Sequence, residues 1–223
     1  MLAIVPDLLT AEELARLRAL LKRVAFQDGK ATAGFRARMV KHNEQAKAGG
    51  DSLEPARALV REALLRNGQF QSAVLSRSLR PPLFNRYRKG QSYGAHIDDP
   101  LMGKEERQRS DVAMTLFLSD PDGYEGGELQ LSSPLGPQEV KLPAGAAVIY
   151  PASAPHAVAP VTAGERLAAV CWAQSYVREG ERREILHQMN AVRMHLHKSE
   201  PEGEAAWHAF AAYANLLRLW AEA

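Results

Sequence analysis

The sequence lacks a second cysteine, a long apolar run and a strong net charge, and each absence excludes a class of protein. Cys171 is the only cysteine, so no intrachain disulfide can form and a reducing compartment is expected. No stretch reaches the ~18–20 apolar residues of a membrane span, and the first apolar run stops at Pro6, unlike a signal peptide. The net charge of +2, with both signs interspersed, favours neither nucleic acid nor membrane as a partner. We therefore expect a cytoplasmic protein.

The N-terminal third of the chain is predicted to be mainly helical. Thr10 and Glu13 form a capping-box pattern before leucines at helical spacing, which predicts a first helix. A second helix is expected over residues 52–67, closed by Gly68 in the left-handed conformation. The polar stretch over residues 30–50 is expected to be a loop between them.

From about residue 73 the pattern changes to short apolar or alternating runs separated by proline, glycine, aspartate and serine. Many short strands without intervening helices predict a sandwich or barrel and argue against a parallel α/β sheet. Helical periodicity returns after Tyr176, over residues 181–197 and 204–223. The chain is thus predicted to be an α+β protein with two parts: a main domain over 1–177 (helices in 1–72, β core over about 73–177) and a helical module over 178–223.

Two histidines and one aspartate form a candidate metal site. His96 and Asp98 lie two residues apart at the end of a strand pattern, so their side chains point to the same face. His156 follows 58 residues after Asp98, just past another predicted strand. Two imidazoles and one carboxylate on adjacent strands leave three coordination positions open, an arrangement that suits ferrous iron in oxygenases.

Arg166 lies ten residues after His156, at the head of an apolar strand. An arginine buried there would bind the remote carboxylate of a metal-chelating 2-oxoglutarate through two parallel hydrogen bonds. The alternative for Arg166 is a surface charge paired with Glu165. The three metal ligands by themselves are compatible with two other functions. One is a cupin-like zinc or manganese hydrolase or isomerase, and the other is a non-catalytic sensor of iron or 2-oxoglutarate.

The run from Asn85 to Tyr176 resembles the iron- and 2-oxoglutarate-dependent dioxygenases of the prolyl/lysyl hydroxylase type. The matching residues are Tyr87, Gly90, Tyr93, His96, Asp98, the segment Tyr124 to Leu129, Pro143, Gly145, His156, Arg166 and Trp172. Over nearly the whole chain the sequence is similar to the bacterial PKHD-type hydroxylases. This resemblance implies a double-stranded β-helix (a cupin-like jelly roll) with N-terminal helices buttressing one sheet and a small C-terminal helical module.

The resemblance also implies the roles of individual residues. His96, Asp98 and His156 would be the Fe²⁺ ligands, Arg166 the anchor of 2-oxoglutarate, and Tyr87 a hydrogen-bond partner of that cosubstrate. Tyr93 and Trp172 would line the pocket, with plain core packing as the alternative for Trp172. The implied reaction is hydroxylation of a C–H bond by O₂, with succinate and CO₂ released and ascorbate as an optional reductant.

Neither the substrate nor the oligomeric state follows from these residues. A prolyl or lysyl side chain of a peptide or protein and a small metabolite such as a siderophore are both open as substrates. The apolar residues Trp207, Phe210 and Trp220 of the last helix are expected either to seal the core or to join two subunits in a homodimer.

Overall fold

The computed structural model describes residues 1–32, 34–103, 105–133 and 136–222. Within these ranges the α-helices are α1 (Ala11–Leu21), α2 (Phe35–Val40), α3 (Leu53–Arg66), α4 (Gly68–Val74), α5 (Gly180–Ser199) and α6 (Glu204–Trp220). The strands are β1 (Ala3–Val5), β2 (Phe26–Asp28), β3 (Lys41–His42), β4 (Glu44–Ala46), β5 (Ser76–Leu79), β6 (Leu83–Arg88), β7 (Ser92–His96), β8 (Leu101–Met102), β9 (Gln108–Arg109), β10 (Val112–Phe117), β11 (Tyr124–Gly126), β12 (Leu129–Ser133), β13 (Gly136–Val140), β14 (Ala147–Pro151), β15 (His156–Val158) and β16 (Val161–Ser175).

Two antiparallel sheets form the centre of the molecule. The larger has the order β1-β14-β10-β16-β6-β4-β2, with β5 and β11 also paired to β16, and the smaller has the order β13-β12-β15-β7-β3. Neighbouring strands in each sheet come from distant parts of the chain, as in β10 beside β16 and β7 beside β15. This arrangement confirms the expected mainly-β core of jelly-roll type.

Alternation along the strands of the larger sheet divides the core into two layers. On β14, Ala147 and Ile149 pack into one cluster with the N-terminal helices, while Val148 and Tyr150 pack into a second cluster. The second cluster also contains Leu129 of β12 in the smaller sheet. Because successive side chains of a strand point to opposite faces, one layer lies under the helices and the other between the sheets. The helices therefore buttress one sheet, as expected.

Of the two helix caps predicted in the N-terminal region, one is confirmed and the other is wrong. The Thr10 hydroxyl accepts from the Glu13 amide and the Glu13 carboxylate accepts from the Thr10 amide, so the predicted capping box is confirmed. The prediction that Gly68 closes α3 is wrong. Gly68 is the first residue of α4, and the Asn67 side chain accepts from the Phe70 amide and caps that new helix.

The prediction of a loop over residues 30–50 is also wrong. This segment contains α2, β3 and β4, and it contributes to both sheets: β3 pairs with β7, and β4 pairs with β6. The hydrogen bonds of a sheet edge do not depend on apolar periodicity, so a polar segment can add a strand where the sheet already exists. Through α2 and β3 the segment forms one wall of the cavity described below.

The two predicted C-terminal helices are confirmed as α5 and α6, which pack on each other, while α5 also packs on α4. Trp207 and Phe210 of α6 are 65% and 52% exposed, so they do not seal the core. The homodimer stays a prediction, as does the division of the chain at residue 177. None of the helices in the described ranges is both long and apolar enough to cross a bilayer.

Arg183 joins the helical tail to the end of the larger sheet, and its replacement tests how firmly the tail is held. The buried guanidinium donates through Nη1 to the carbonyls of Val177 (2.8 Å) and Arg178 (2.7 Å). We expect Arg183→Met to lower the free energy of unfolding in urea by about 1–3 kcal/mol, because two carbonyls lose their donor. The exposed neighbour Arg182 is the control, and Arg182→Met should cost less than about 1 kcal/mol. Equal losses in the two variants would show that the Arg183 hydrogen bonds are not what holds the tail.

Candidate metal and cosubstrate site

The register of the smaller sheet brings the three predicted metal ligands together. β15 pairs antiparallel with β7 so that His156 lies directly opposite His96, and Asp98 follows two residues after His96. The imidazole centroids are 4.2 Å apart, and His156 Nε2 lies 3.8 Å from Asp98 Oδ1. One donor atom from each of the three residues lies within 4.8 Å of the others. The set can therefore hold one metal ion, with both imidazoles and the carboxylate on the same side of it.

Both imidazoles are oriented by a backbone carbonyl two residues earlier in the chain. His96 Nδ1 lies 2.9 Å from the Gly94 carbonyl, and His156 Nδ1 lies 3.0 Å from the Ala154 carbonyl. A carbonyl can only accept, so each Nδ1 carries a proton. In a neutral imidazole this is the tautomer that presents Nε2 to a metal.

The environment of His96 favours its neutral form. Burial lowers the pKa of His96 to about 4, and His156 adds to the effect because two imidazolium ions side by side would repel. Tyr93 covers the ring in a stacked arrangement, with the centroids 3.7 Å apart. Tyr93 is also one of the residues that line the cavity described below.

Trp172 orients Asp98, the third candidate ligand. This contact was not predicted from the sequence. Its indole Nε1 donates a 2.8 Å hydrogen bond to Asp98 Oδ2, while Oδ1 faces His156. Burial raises the pKa of the Asp98 carboxyl, and the His156 imidazole and the Trp172 hydrogen bond oppose that rise. Trp172 is thus more than core packing: it fixes which carboxylate oxygen is left for a metal.

Arg166 lies deep between the sheets, where its charge is enclosed by aromatic rings. Its residue is 2% exposed, and its guanidinium carbon lies 5.2 Å from the ring centre of Tyr87 and 5.3 Å from that of Phe117. Cation–π contacts of this kind contribute about 0.5–2 kcal/mol each, less than the several kcal/mol of desolvation. Further stabilisation must come from an anion.

The protein does not supply that anion within the described residues. Arg166 Nε and Nη2 are buried and have no hydrogen-bond acceptor there. The neighbouring carboxylate of Glu165 instead lies 3.3 Å from Arg88 and 3.9 Å from Arg86, on the outer face of the sheet. The alternative of a surface Arg166–Glu165 pair is therefore excluded.

A cavity of about 500 Å³ connects Arg166 with the metal triad. Its walls include Tyr87, predicted as a cosubstrate contact, and three polar residues that the sequence analysis did not single out, Asn85, Thr115 and Lys41. Asn85 Oδ1 is buried without a hydrogen-bond partner in the described part of the chain. Strand alternation could have flagged Asn85, which lies two residues before Tyr87 and on the same face.

Gly127 makes room for Arg166. A Cβ at this position would lie 3.0 Å from Arg166 Cδ and 2.9 Å from Val161 Cγ2, and the backbone φ of +67° is one that side-chain-bearing residues avoid. The glycine therefore lets the guanidinium stem pass close to the backbone at the entry to β12.

The comparisons with known proteins agree with this geometry. A family model described as the 2OG-Fe(II) oxygenase superfamily matches residues 82–174. A PKHD-type hydroxylase of Thioalkalivibrio sulfidiphilus is 47% identical over 223 residues, and one of Bordetella pertussis is 41% identical over 225 residues; each alignment covers 100% of both chains. The crystal structure of a Pseudomonas putida prolyl-4-hydroxylase superposes with a TM-score of 0.54 at 20% identity, covering 78% of this chain and 92% of that one. At that identity the last comparison supports the fold alone.

Replacing Trp172 tests its hold on Asp98. Trp172→Phe keeps an aromatic ring but removes the donor to Oδ2, so the carboxylate can rotate away from the two imidazoles. We expect the affinity for Fe²⁺ or Mn²⁺ to fall about 10–100-fold, as for other partners of metal ligands. Metal titration under anaerobic conditions measures this, with Trp207→Phe on the exposed face of α6 as the control. An unchanged affinity in Trp172→Phe would assign the residue to packing only.

Proposed function

The chain belongs to the PKHD-type hydroxylases of the 2OG-Fe(II) oxygenase superfamily, and on that premise we propose that His96, Asp98 and His156 hold its iron and Arg166 anchors its 2-oxoglutarate. It is an enzyme that uses Fe²⁺ and 2-oxoglutarate, with O₂ as the second cosubstrate. The buried Arg166 guanidinium, whose Nε and Nη2 have no acceptor among the described residues, is the observation that carries the proposal.

When bound, iron and 2-oxoglutarate supply the oxidising power to hydroxylate a C–H bond with O₂, releasing succinate and CO₂. The triad fits this group because two imidazoles and a carboxylate would leave three coordination positions of the iron open. The backbone carbonyls of Gly94 and Ala154 keep the imidazoles in the ligating tautomer. Trp172 donates to Oδ2 of Asp98, which would leave Oδ1 to hold the metal.

Arg166 and the rings around it fit the remote carboxylate of the cosubstrate. A planar guanidinium with two free N–H groups forms parallel hydrogen bonds with a carboxylate, and the closed pocket strengthens them. Tyr87, beneath the guanidinium, is the second cosubstrate contact in this proposal. A zinc or manganese hydrolase on the same triad would leave Arg166 buried without a partner, which disfavours that alternative.

The substrate belongs to one of two classes, a prolyl or lysyl side chain of a peptide or protein, or a small metabolite such as a siderophore. The cavity volume of about 500 Å³ is shared with the cosubstrate. That size suits one side chain or a small molecule rather than a folded surface.

Turnover of the cosubstrate tests the reaction class. The iron-loaded protein should convert 2-oxoglutarate to succinate in the presence of O₂ at a slow uncoupled rate, and an anaerobic complex should show a weak visible charge-transfer band. In His156→Ala both signals should disappear because one of three ligands is lost. The exposed His208 provides the matched control, His208→Ala, which should retain both. Binding of 2-oxoglutarate without any turnover would favour the sensor alternative.

A second variant tests the role of Arg166 in 2-oxoglutarate binding separately from metal binding. Arg166→Met should weaken 2-oxoglutarate binding at least ~30-fold, since a charge-assisted hydrogen-bonded pair contributes roughly 2 kcal/mol or more. Binding of the metal alone should change less than threefold, as measured by titration with Mn²⁺. Arg88→Met, on the outer face of the same sheet, is the control. An equal loss of metal and cosubstrate binding in Arg166→Met would indicate general damage and contradict the assigned role.

A further inference from the structure

Two arginines that line the cavity, Arg166 and Arg80, lie at opposite ends of the site. Arg166 is on the long strand β16, and Arg80 is hydrogen-bonded to that strand. Arg166 and Trp172 lie six residues apart on it and both line the cavity, which corresponds to roughly 20 Å of extended backbone. The Arg80 amide donates to the Trp172 carbonyl at 2.8 Å, so Arg80 lies at the Trp172 end. Since Trp172 also bonds Asp98, the metal triad lies between Arg166 and the region around Arg80.

The Arg80 end is the open end of the cavity. Ile97 and Leu101 line it and are 55% and 51% exposed, whereas Arg166 at the closed end is 2% exposed. Arg80 Nη1 lies 3.1 Å from the position that a Cβ on Gly103 would take, so the guanidinium lies under the β8–β9 hairpin. Arg80 therefore lies at the mouth of the cavity.

The charge of Arg80 is not balanced by the protein. Among the described residues no carboxylate lies within ion-pair distance of its guanidinium, and no acceptor is hydrogen-bonded to it. The other arginine on that side, Arg57, differs in this respect: it is bound to the Glu54 carboxylate at 2.6 Å and to the Pro82 carbonyl at 3.2 Å.

Lys41 adds a second positive charge close to the triad. The residue is buried, and its Nζ lies 5.2 Å from the ring centre of Tyr93, the ring that stacks on His96. Burial lowers the pKa of Lys41 to about 8, with Asp98 and Asp28 acting in the opposite direction, so the amine is still largely protonated at neutral pH. Once Asp98 binds a cation, much of its effect on Lys41 is cancelled.

With the proposed cofactors bound, Arg80 is the cavity cation that no nearby carboxylate balances. The ferrous ion and Arg166 together balance Asp98 and the doubly charged cosubstrate. Lys41 is also opposed by Asp28, and Asp99, the remaining acid that lines the cavity, packs against Gly34 at the start of α2. A neutral or cationic substrate would leave the charge of Arg80 unbalanced.

Resting on the proposed function, we propose that the substrate carries an anionic oxygen group, such as a carboxylate, which Arg80 binds at the mouth while the hydroxylated C–H group lies at the triad. Arg80 makes the contact, and Lys41 contributes only its positive potential. The same group could come from a small carboxylic acid or from an acidic residue next to the target in a peptide.

Matched probes test this inference on the anaerobic complex with Fe²⁺ and 2-oxoglutarate. One pair is N-acetylproline and N-acetylprolinamide, and the other is the peptides acetyl-Pro-Glu-Ala-amide and acetyl-Pro-Gln-Ala-amide. The change in the visible charge-transfer band on titration gives the affinity for each probe, and loss of the band would report displacement of 2-oxoglutarate instead. We expect the acid of at least one pair to bind ten times or more tighter than its amide, and the responding pair identifies the source of the group.

Variants test whether Arg80 is the residue that causes the preference for the acid over the amide. Arg80→Gln should reduce the preference for the acid to less than threefold while the band still forms, and Arg80→Lys should recover part of it. Arg77→Gln removes the same charge from the exposed face of the same strand, β5, and should leave the preference unchanged.

Two results would overturn the inference: absence of any acid preference in both pairs, including a failure of all four probes to bind, or a full preference retained in Arg80→Gln. Failure of the band to form in the unmodified protein is a different result, because it contradicts the proposed iron and 2-oxoglutarate site itself.

Discussion

A positive charge buried between two β-sheets is the feature on which the arrangement of the site depends. Taking a guanidinium out of water costs several kcal/mol, and the rings of Tyr87 and Phe117 offset only part of that cost. Gly127 also leaves room for this residue, since it adopts a positive φ at a position where a side chain would collide with the stem of Arg166. If the stability of the folded protein alone determined the residue at position 166, we would expect an apolar side chain there. The two guanidinium nitrogens without an acceptor, Nε and Nη2, are the basis for proposing a ligand that brings the missing negative charge.

The metal triad depends on a different constraint, the register of two short strands. Because His156 lies directly opposite His96, a shift of one residue would turn one imidazole to the other face of the sheet and separate the donors. Each imidazole is then oriented by a carbonyl of its own strand segment, and the carboxylate by an indole from the opposite sheet. Backbone pairing sets the distances, and hydrogen bonds set which atoms face the ion.

The sequence predicted these residues more completely than it predicted their surroundings. His96, Asp98, His156 and Arg166 carry a spacing pattern and a residue chemistry that point to one site, and the structure brings the triad into one cluster. Residues 30–50 carry no such pattern. Their strands β3 and β4 are held by hydrogen bonds to β7 and β6, which come from later parts of the chain. The contacts of Trp172 with Asp98 and of Lys41 with Tyr93 have the same origin in pairing between distant segments, so no local signal could have indicated them.

The two ends of the cavity differ in chemical character. The closed end is formed by β6, β10 and β16, whose residues are recognisable by strand alternation, and it carries one cation suited to the cosubstrate. The open end is formed by the residue after β5 and the β8–β9 hairpin, and it carries a second cation, Arg80. In this proposal the regular core determines the reaction class, whereas irregular segments at its rim select the substrate. Loops and edge strands tolerate change far better than a packed strand does, so members of one family can keep the core chemistry and differ in what they hydroxylate.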